Sequence, residues 1–136
     1  MAELVKVVVD AMGGDLAPVE PVKAAVEAVK ERKDILVILT GQEEVIHSEL
    51  KKYQDYPTDR IQVVNATEVI ETAEPPVFAI RKKKDSSIVV GLKMVKEQKA
   101  DAFVSSGSTG AVLVGGHYEG GGPGINAAGR GVLLDN

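Results

Sequence analysis

Along the first third of the chain, the apolar residues change from continuous runs, typical of buried strands, to the spacing of three and four that is typical of helices. Residues 5–9 form a nearly continuous run of β-branched side chains, the pattern of a strand that is covered on both faces in a parallel sheet. Over residues 18–32 the apolar positions recur at steps of three and four, which predicts an amphipathic helix. These positions are Val19, Val22, Val26 and Val29.

The alternation continues through the next segments. Residues 35–41 predict a second buried strand that a glycine ends, and residues 60–66 predict a third, shorter strand. Between them lies a polar helix whose apolar positions are Val45, Ile46 and Leu50. A β-α-β-α-β unit of this kind is typical of a parallel sheet with crossover helices.

The middle of the chain predicts two more helices. Pro75 and Pro76 open a short one that runs into the basic residues 81–84, since proline is tolerated in the first turn of a helix. The next helix has Asp85 or Ser86 as its predicted N-cap, because either side chain can accept a backbone N–H bond. An apolar stripe follows at helical spacing.

Glycine dominates the last part of the chain. Residues 115–131 hold eight of the fourteen glycines, and glycine at that density costs conformational entropy and supplies no side chains to bury. We therefore predict a loop or tail over residues 115–131, with regular structure returning only in the final "GVLLD". The whole of residues 1–136 is interpreted as a single α/β domain.

Composition excludes several classes of protein. The formal net charge of −4 offers no overall attraction to nucleic acid, so we expect no nucleic-acid partner. The absence of cysteine excludes disulfides and thiolate metal sites, and with two histidines a histidine-rich metal site is not expected. The first residues show neither the pattern of a signal peptide nor that of a membrane span. We predict an intracellular protein.

The segment "VVVDAMGGDLAP" places acids and glycines directly after the first strand. In an open parallel sheet, ligands lie beyond the carboxyl ends of the strands, which is where Asp10, Gly13, Gly14 and Asp15 fall. Two interpretations stay open. The glycines make a tight turn and Asp15 caps the helix, or the segment holds an anion on its backbone N–H groups. The spacing is not G-x-G-x-x-G, and we expect no cofactor.

A basic run stands out in an acidic chain. Four consecutive cations precede hydroxyl groups at a predicted helix start, a combination suited to phosphate or to an acidic partner protein. Equally, cations at a helix C-terminus complement its dipole and remain solvated, and both readings stay open. The residues are Arg81, Lys82, Lys83, Lys84, Ser86 and Ser87.

The segment "SSGSTGA" follows a predicted strand over residues 102–105 and precedes a predicted helix. Hydroxyls and glycines at such a junction are the ingredients of a phosphate cradle, although the lysine of a P-loop is missing. A serine nucleophile fits less well, because there is no G-x-S-x-G frame. The candidate anion-binding residues are Ser105, Ser106, Gly107, Ser108, Thr109 and Gly110.

In order along the chain, "VDAMGGDLAP", "EVIE", "EPPVFAIRKKKDSSIVVGLKMVKE" and "ADAFVSSGSTGA" resemble the bacterial acyl-carrier-protein:phosphate acyltransferases of phospholipid synthesis. The resemblance covers residues 4–114 and fades beyond them. It implies a Rossmann-like parallel or mixed sheet in a three-layer α/β/α sandwich. Ser108 stands where the family usually has asparagine, and family members are much longer, so the chain resembles their N-terminal half.

The resemblance implies transfer of a fatty acyl group from acyl carrier protein to inorganic phosphate, giving acyl phosphate. It also implies a cytoplasmic, dimeric protein that can associate with the membrane surface, with the acid-glycine and serine-glycine segments forming the pocket. The basic run would contact either phosphate or the carrier protein. The alternatives are a non-catalytic anion-binding or interaction domain and a phosphate acetyltransferase-like enzyme that uses acyl-CoA. Because an unpaired edge strand favours self-association, we predict a homo-oligomer.

Overall fold

The computed structural model describes residues 4–71, 73–107 and 111, together with the backbone of residues 125–128 and 131–135. Strands and helices alternate in the described part as the sequence pattern predicts. A short 3-10 helix, Thr58–Arg60, precedes the third strand. The other elements are β1 (Val5–Asp10), α1 (Val19–Glu31), β2 (Ile35–Gly41), α2 (Glu43–Leu50), β3 (Ile61–Asn65), α3 (Pro76–Lys82), α4 (Ser87–Lys96), β4 (Ala102–Ser105), β5 (Ile125–Ala128) and β6 (Gly131–Asp135).

The described strands form one mixed sheet in the order β3-β2-β1-β4-β6-β5. β1 is parallel to both β2 and β4, and its Val8 lies opposite Ile38 on one side and Phe103 on the other. β3 is parallel to β2, whereas β6 runs antiparallel to β4 and to β5. The predicted Rossmann-like sheet is confirmed.

Helices cover both faces of the sheet. Successive strand residues point to opposite faces, so the buried strand β2 supplies Ile38 to one side and Leu39 to the other. The Ile38 side packs with α3 and α4 through a cluster that includes Phe103, and the Leu39 side packs with α1 and α2. This is the predicted three-layer α/β/α arrangement. Among the described helices, none combines the length and the apolar composition needed to span a bilayer.

The two predicted helix caps are resolved differently. Ser86 is the N-cap of α4, and its hydroxyl accepts a hydrogen bond of 3.2 Å from the backbone N–H of Val89. Asp85 instead accepts bonds from the backbone and hydroxyl of Thr67, which hold the pKa of Asp85 below its ordinary value. The interpretation of Asp15 as the N-cap of the first helix does not match the structure, since α1 begins at Val19 with Pro18 at its N-cap position.

The predicted loop over residues 115–131 is wrong for Ile125–Ala128, which form β5. This strand pairs with β6 in an antiparallel ladder from Ile125 opposite Leu134 to Ala128 opposite Gly131. The ladder satisfies backbone groups irrespective of side-chain size, and this overrides the unfavourable composition of the segment. The regular structure predicted for "GVLLD" is confirmed as β6, while residues 112–124 lie outside the described residues.

We expect Arg60→Ala to lower the free energy of unfolding by about 1 to 3 kcal/mol, because charged donors make the stronger hydrogen bonds to backbone groups. The Arg60 guanidinium donates to the carbonyls of Val29, Arg32 and Ile35 at 2.7, 2.6 and 3.0 Å, and thereby closes the C-terminal end of α1. Urea unfolding measures the loss. Arg60→Lys should recover part of it, and an unchanged midpoint for Arg60→Ala would contradict this role.

Candidate functional site

The strand order reverses between β1 and β4, and this is where the candidate site lies. From β1 the chain crosses through α1 to β2 on one side, whereas β4, on the other side, is reached through α3 and α4. Ligands of open α/β sheets bind at such a point, beyond the carboxyl ends of the strands. The segments that follow β1 and β4 therefore lie together, as the sequence predicts for Asp10 and Ser105.

A cleft of about 1300 Å³ opens at this point. Its floor is formed by the ends of β1 and β4 and by the glycine turns that follow them. One wall is the start of α1, and the opposite wall is the segment that leads into α3. The lining residues include Asp10, Gly13, Gly14, Asp15, Leu16, Glu20, Pro21, Ala24, Glu74, Pro75, Pro76, Ser105, Ser106 and Gly107.

Asp10 joins the two glycine turns from beneath the cleft. Asp10 as a whole residue is 2% exposed. One carboxylate oxygen, Oδ1, accepts the backbone N–H of Met12 at 3.0 Å, and Oδ2 accepts the hydroxyl of Ser105 at 2.8 Å. Ser105 Oγ in turn accepts the backbone N–H of Gly107 at 3.0 Å. The chain of bonds fixes the turn after β1 against the turn after β4.

The protonation of Asp10 reflects this environment. Burial raises its pKa above the ordinary value of 3.8, because the charged form loses its hydration. Hydrogen bonds from Ser87, Ser105, Met12 and Gly13 oppose that rise, since each stabilises the carboxylate. Ser105 is also buried and bonded in both directions, so its hydroxyl is an internal link between turns and not a free nucleophile.

The two turns touch through their glycines. A Cβ at Gly13 would lie 2.5 Å from Asp10 Oδ2 and 2.9 Å from the backbone nitrogen of Gly107. Gly14 has a φ of +93°, a conformation that other residues rarely adopt, and it lies against the backbone of Ser106. Only glycine permits this close approach of the two turns. Ser106 is exposed at the cleft surface.

The charges around the cleft are acidic. Asp15, Glu20 and Glu74 lie at its rim, and no lysine or arginine occurs among the lining residues in the described part of the chain. The same part contains no group of acidic and histidine side chains arranged to hold a metal ion. Among the described residues, the donors that the cleft offers to an anion are therefore backbone N–H and hydroxyl groups.

The basic run lies outside the cleft lining, and its members have different environments. The Lys83 ammonium donates to Glu74 Oε2 at 2.8 Å and to the carbonyl of Val69 at 2.7 Å, so it holds the cleft wall to α3. The hydrogen bond from Lys83 and a second one from the backbone N–H of Glu71 hold the pKa of Glu74 below its ordinary value. Arg81, Lys82 and Lys84 are exposed, whereas Ser86 and Ser87 are buried at the start of α4.

The structure brings together Asp10, Gly13, Gly14, Asp15 and the segment Ser105 to Gly107, as the sequence analysis expects of one pocket. Ser108, Thr109 and Gly110 lie outside the described residues. The apolar wall of the cleft was not among the residues predicted for the site. The signal that was available is the "EPP" segment, since consecutive prolines stiffen a wall and pre-set the first turn of a helix. These wall residues are Leu16, Pro21, Ala24, Pro75 and Pro76.

Comparison with known proteins supplies a second line of information. A family described as "Fatty acid synthesis protein" matches residues 5–127. The chain is similar to the phosphate acyltransferase of Alkaliphilus oremlandii (strain OhILAs), at 58% identity over 111 residues that make up 82% of this chain and 32% of the relative. The phosphate acyltransferase of Halothermothrix orenii is 51% identical over 113 residues, which are 83% of this chain and 34% of the relative.

A third relative, the phosphate acyltransferase of Dictyoglomus thermophilum, is 52% identical over 108 residues, which are 79% of this chain and 32% of the relative. The chain thus spans about a third of the length of the curated relatives that it matches. The family match over residues 5–127 includes both glycine turns and the basic run, so the described cleft residues lie within it.

Proposed function

The chain belongs to the fatty acid synthesis protein family, and from this premise we propose that it acts in the transfer of a fatty acyl group from acyl carrier protein to inorganic phosphate. The observation that carries the proposal is the meeting of two glycine turns at the switch point of the sheet, beside an apolar wall. A thioester needs both parts, because its carbonyl requires hydrogen-bond donors and its acyl chain requires apolar contacts.

In the proposed reaction a phosphate oxygen attacks the thioester carbonyl carbon. A carbon–oxygen bond forms and the carbon–sulfur bond breaks, giving acyl phosphate and the carrier thiolate. The thiolate takes up the proton that hydrogen phosphate loses and leaves as the thiol. Donors near the carbonyl stabilise the negative oxygen of the tetrahedral intermediate. We assign this role to the hydroxyl of Ser106, which lines the cleft and is exposed. Asp10 and Ser105 are the positioning residues beneath it, and the Gly107 N–H is already bonded to Ser105.

The acyl chain is assigned to the apolar wall, and the phosphate to the glycine turns. The acidic rim does not favour phosphate, so we propose that phosphate binding depends on the hydroxyl and backbone N–H groups of the turns. We further propose a cytoplasmic homodimer. β3 supports self-association, since it ends the strand order of the described sheet and its outer edge has no partner strand there.

A second candidate is a non-catalytic domain that binds the acyl donor without turning it over. The observation that favours it is the acidic rim of the cleft, which does not favour a phosphate nucleophile. Acyl-CoA in place of the carrier thioester remains the alternative donor. One assay with both donors separates these candidates.

The test is formation of acyl phosphate, trapped as the hydroxamate with hydroxylamine, from acyl carrier protein thioester or acyl-CoA in the presence and absence of phosphate. We expect phosphate-dependent product from the carrier thioester. Ser106→Ala should lower kcat at least about tenfold, because removal of one oxyanion donor typically costs that much or more. Carrier binding without product would support the non-catalytic candidate, and acyl-CoA as the sole productive donor would reassign the substrate.

A further inference from the structure

Helix α3 presents both apolar and basic side chains to solvent. Ala79 and Ile80 are buried in the core, and in the described part of the chain the opposite side of the helix is exposed. Val77 is 45% exposed and Phe78 is 59% exposed, values that are high for large apolar side chains. Arg81 and Lys82 are exposed in the last turn of the same helix. We call Val77, Phe78, Arg81 and Lys82 the α3 surface.

The apolar and basic parts of this surface are physically joined. The Lys82 ammonium lies 5.1 Å from the centroid of the Phe78 ring, a cation–π contact. This contact holds a cation over an exposed aromatic ring. A partner that offers a carboxylate beside an apolar side chain therefore finds both complementary groups in one place.

Lys83 contacts the cleft wall, unlike the basic residues of the α3 surface. It points to Glu74 and the Val69 carbonyl, so it anchors the helix to the cleft wall and leaves Arg81 and Lys82 for external contacts. Neither Arg81 nor Lys82 lines the cleft. This placement disfavours phosphate in the cleft as their ligand and favours a partner on the outer surface.

The α3 surface is nevertheless close to the cleft. Pro76 lines the cleft and is the first residue of α3. A helix rises about 1.5 Å per residue, so Lys82 lies about 9 Å along the axis from that cleft wall. A protein bound to the α3 surface is thus close enough for a flexible arm bearing a thioester to enter the cleft.

An acidic protein fits the α3 surface better than an anionic membrane does. The rim carboxylates of Asp15 and Glu20 lie on the opposite wall of the same cleft, and the chain carries a net charge of −4. A wide anionic surface would meet these carboxylates as well as the two cations. A small acidic protein can contact the cations alone.

We propose that the α3 surface is the docking site for the acidic carrier protein that presents the acyl thioester. The inference rests on the proposed function and assigns its protein partner to named residues. The partner's carboxylates contact Arg81 and Lys82, and its apolar side chains contact Val77 and Phe78. The bound thioester arm then passes Pro76 into the cleft.

The test is titration of the 136-residue chain with fluorescently labelled acyl carrier protein, followed by anisotropy at low and high salt. We expect Arg81→Glu/Lys82→Glu to weaken binding about tenfold, the effect of reversing two charges at the rim of an interface. Arg81→Gln/Lys82→Gln should weaken binding by a smaller factor and perturbs the helix end less. Binding to the unaltered chain should fall as salt rises.

The matched control is Lys33→Glu/Lys99→Glu. It makes the same change in net charge with two exposed lysines that precede β2 and β4, at the end of the strands opposite the cleft. We expect about a twofold change or less, because the altered charges lie far from the α3 surface. Equal weakening by both pairs, no weakening by the α3 variants, or no binding to the unaltered chain would each overturn the proposal.

Two further readouts separate this proposal from others. Loss of binding to phosphatidylglycerol vesicles, with carrier binding retained, would reassign the α3 surface to a membrane. Acyl phosphate formation from a small soluble thioester tests the proposed function without the carrier. If the α3 variants keep that reaction and lose the carrier-dependent one, docking is supported. If the unaltered chain forms no acyl phosphate from either donor while carrier binding still depends on α3, the proposed function fails and the docking site stands.

Discussion

Asp10→Ala is expected to lower the free energy of unfolding by about 2 to 4 kcal/mol, because it leaves buried donors unpaired and opens a cavity. The donors are the Met12 N–H and the Ser105 hydroxyl, which Asp10 accepts at 3.0 and 2.8 Å. Ser105 would then no longer be held toward Gly107. We expect faster hydrogen exchange at the amides of Met12 and Gly107 than at those of the α1 helix interior.

Asp10→Asn is the matched control, since it keeps the volume and an acceptor while removing the charge. The raised pKa of Asp10 means that the folded state holds its proton more tightly than the unfolded state. The stability that this group contributes is therefore complete below its ordinary pKa of 3.8 and is lost as pH rises through the raised folded-state pKa. As the pH rises through this range, the free energy of unfolding of Asp10→Asn should therefore increase relative to that of the unaltered chain.

Urea unfolding of the three proteins across a series of pH values measures both effects. Other carboxylates, such as Glu74 and Asp85, have lowered pKa values and act in the opposite direction. They are common to all three proteins and cancel in the comparison. A difference between Asp10→Asn and the unaltered chain that is independent of pH would refute the link between burial and protonation, and full stability of Asp10→Ala would refute the structural role.

Gly13→Ala is expected to lower the free energy of unfolding by about 2 to 4 kcal/mol, the second large effect. Overpacking of a rigid site and disruption of buried polar contacts both contribute to this loss. The new Cβ would lie 2.5 Å from Asp10 Oδ2 and 2.9 Å from both Gly107 N and Ser105 Oγ. Backbone and hydrogen-bonded atoms of this kind cannot move aside cheaply. Thermal or urea unfolding measures the loss.

A double-mutant cycle identifies the cause. Asp10→Ala removes the carboxylate that the new Cβ would meet, so Gly13→Ala should cost less in that background, with a coupling of about 1 kcal/mol or more as is usual for residues in contact. Gly14→Ala is the companion control, since its cost arises from the φ of +93° and not from Asp10. Strict additivity of Asp10→Ala and Gly13→Ala would show that the close approach is not the reason for the loss.

Most of the fold could be predicted from local pattern. Steps of three and four place Val22, Val26 and Val29 on the buried face of α1, and the β-branched runs become β1 and β2. The helix that opens with two prolines is α3, and the strand at Ala102–Ser105 has the predicted bounds. Such features depend on the side chains of neighbouring residues, and a sequence shows these directly.

Distant residues decide what the local pattern left open or predicted wrongly. Asp85 has the residue type of a cap, but Thr67 engages it from 18 positions away and leaves capping to Ser86. The residues of β5 have poor strand composition, and pairing with β6 makes them a strand. The basic run reads as one charged cluster, although Lys83 turns inward to Glu74. Local composition does not include these partners.

For the candidate site too, the residue types could be predicted from the sequence, whereas the contacts between them could not. The chain itself shows that acids and glycines follow β1 and that serines and glycines follow β4, because residue type and the carboxyl ends of strands can be read from the pattern alone. The packing of the sheet decides that Asp10 bonds to Ser105, 95 residues away, and that Gly13 lies against Gly107. These contacts exist only once β1 and β4 are adjacent, and adjacency of strands is a property of the whole folded chain.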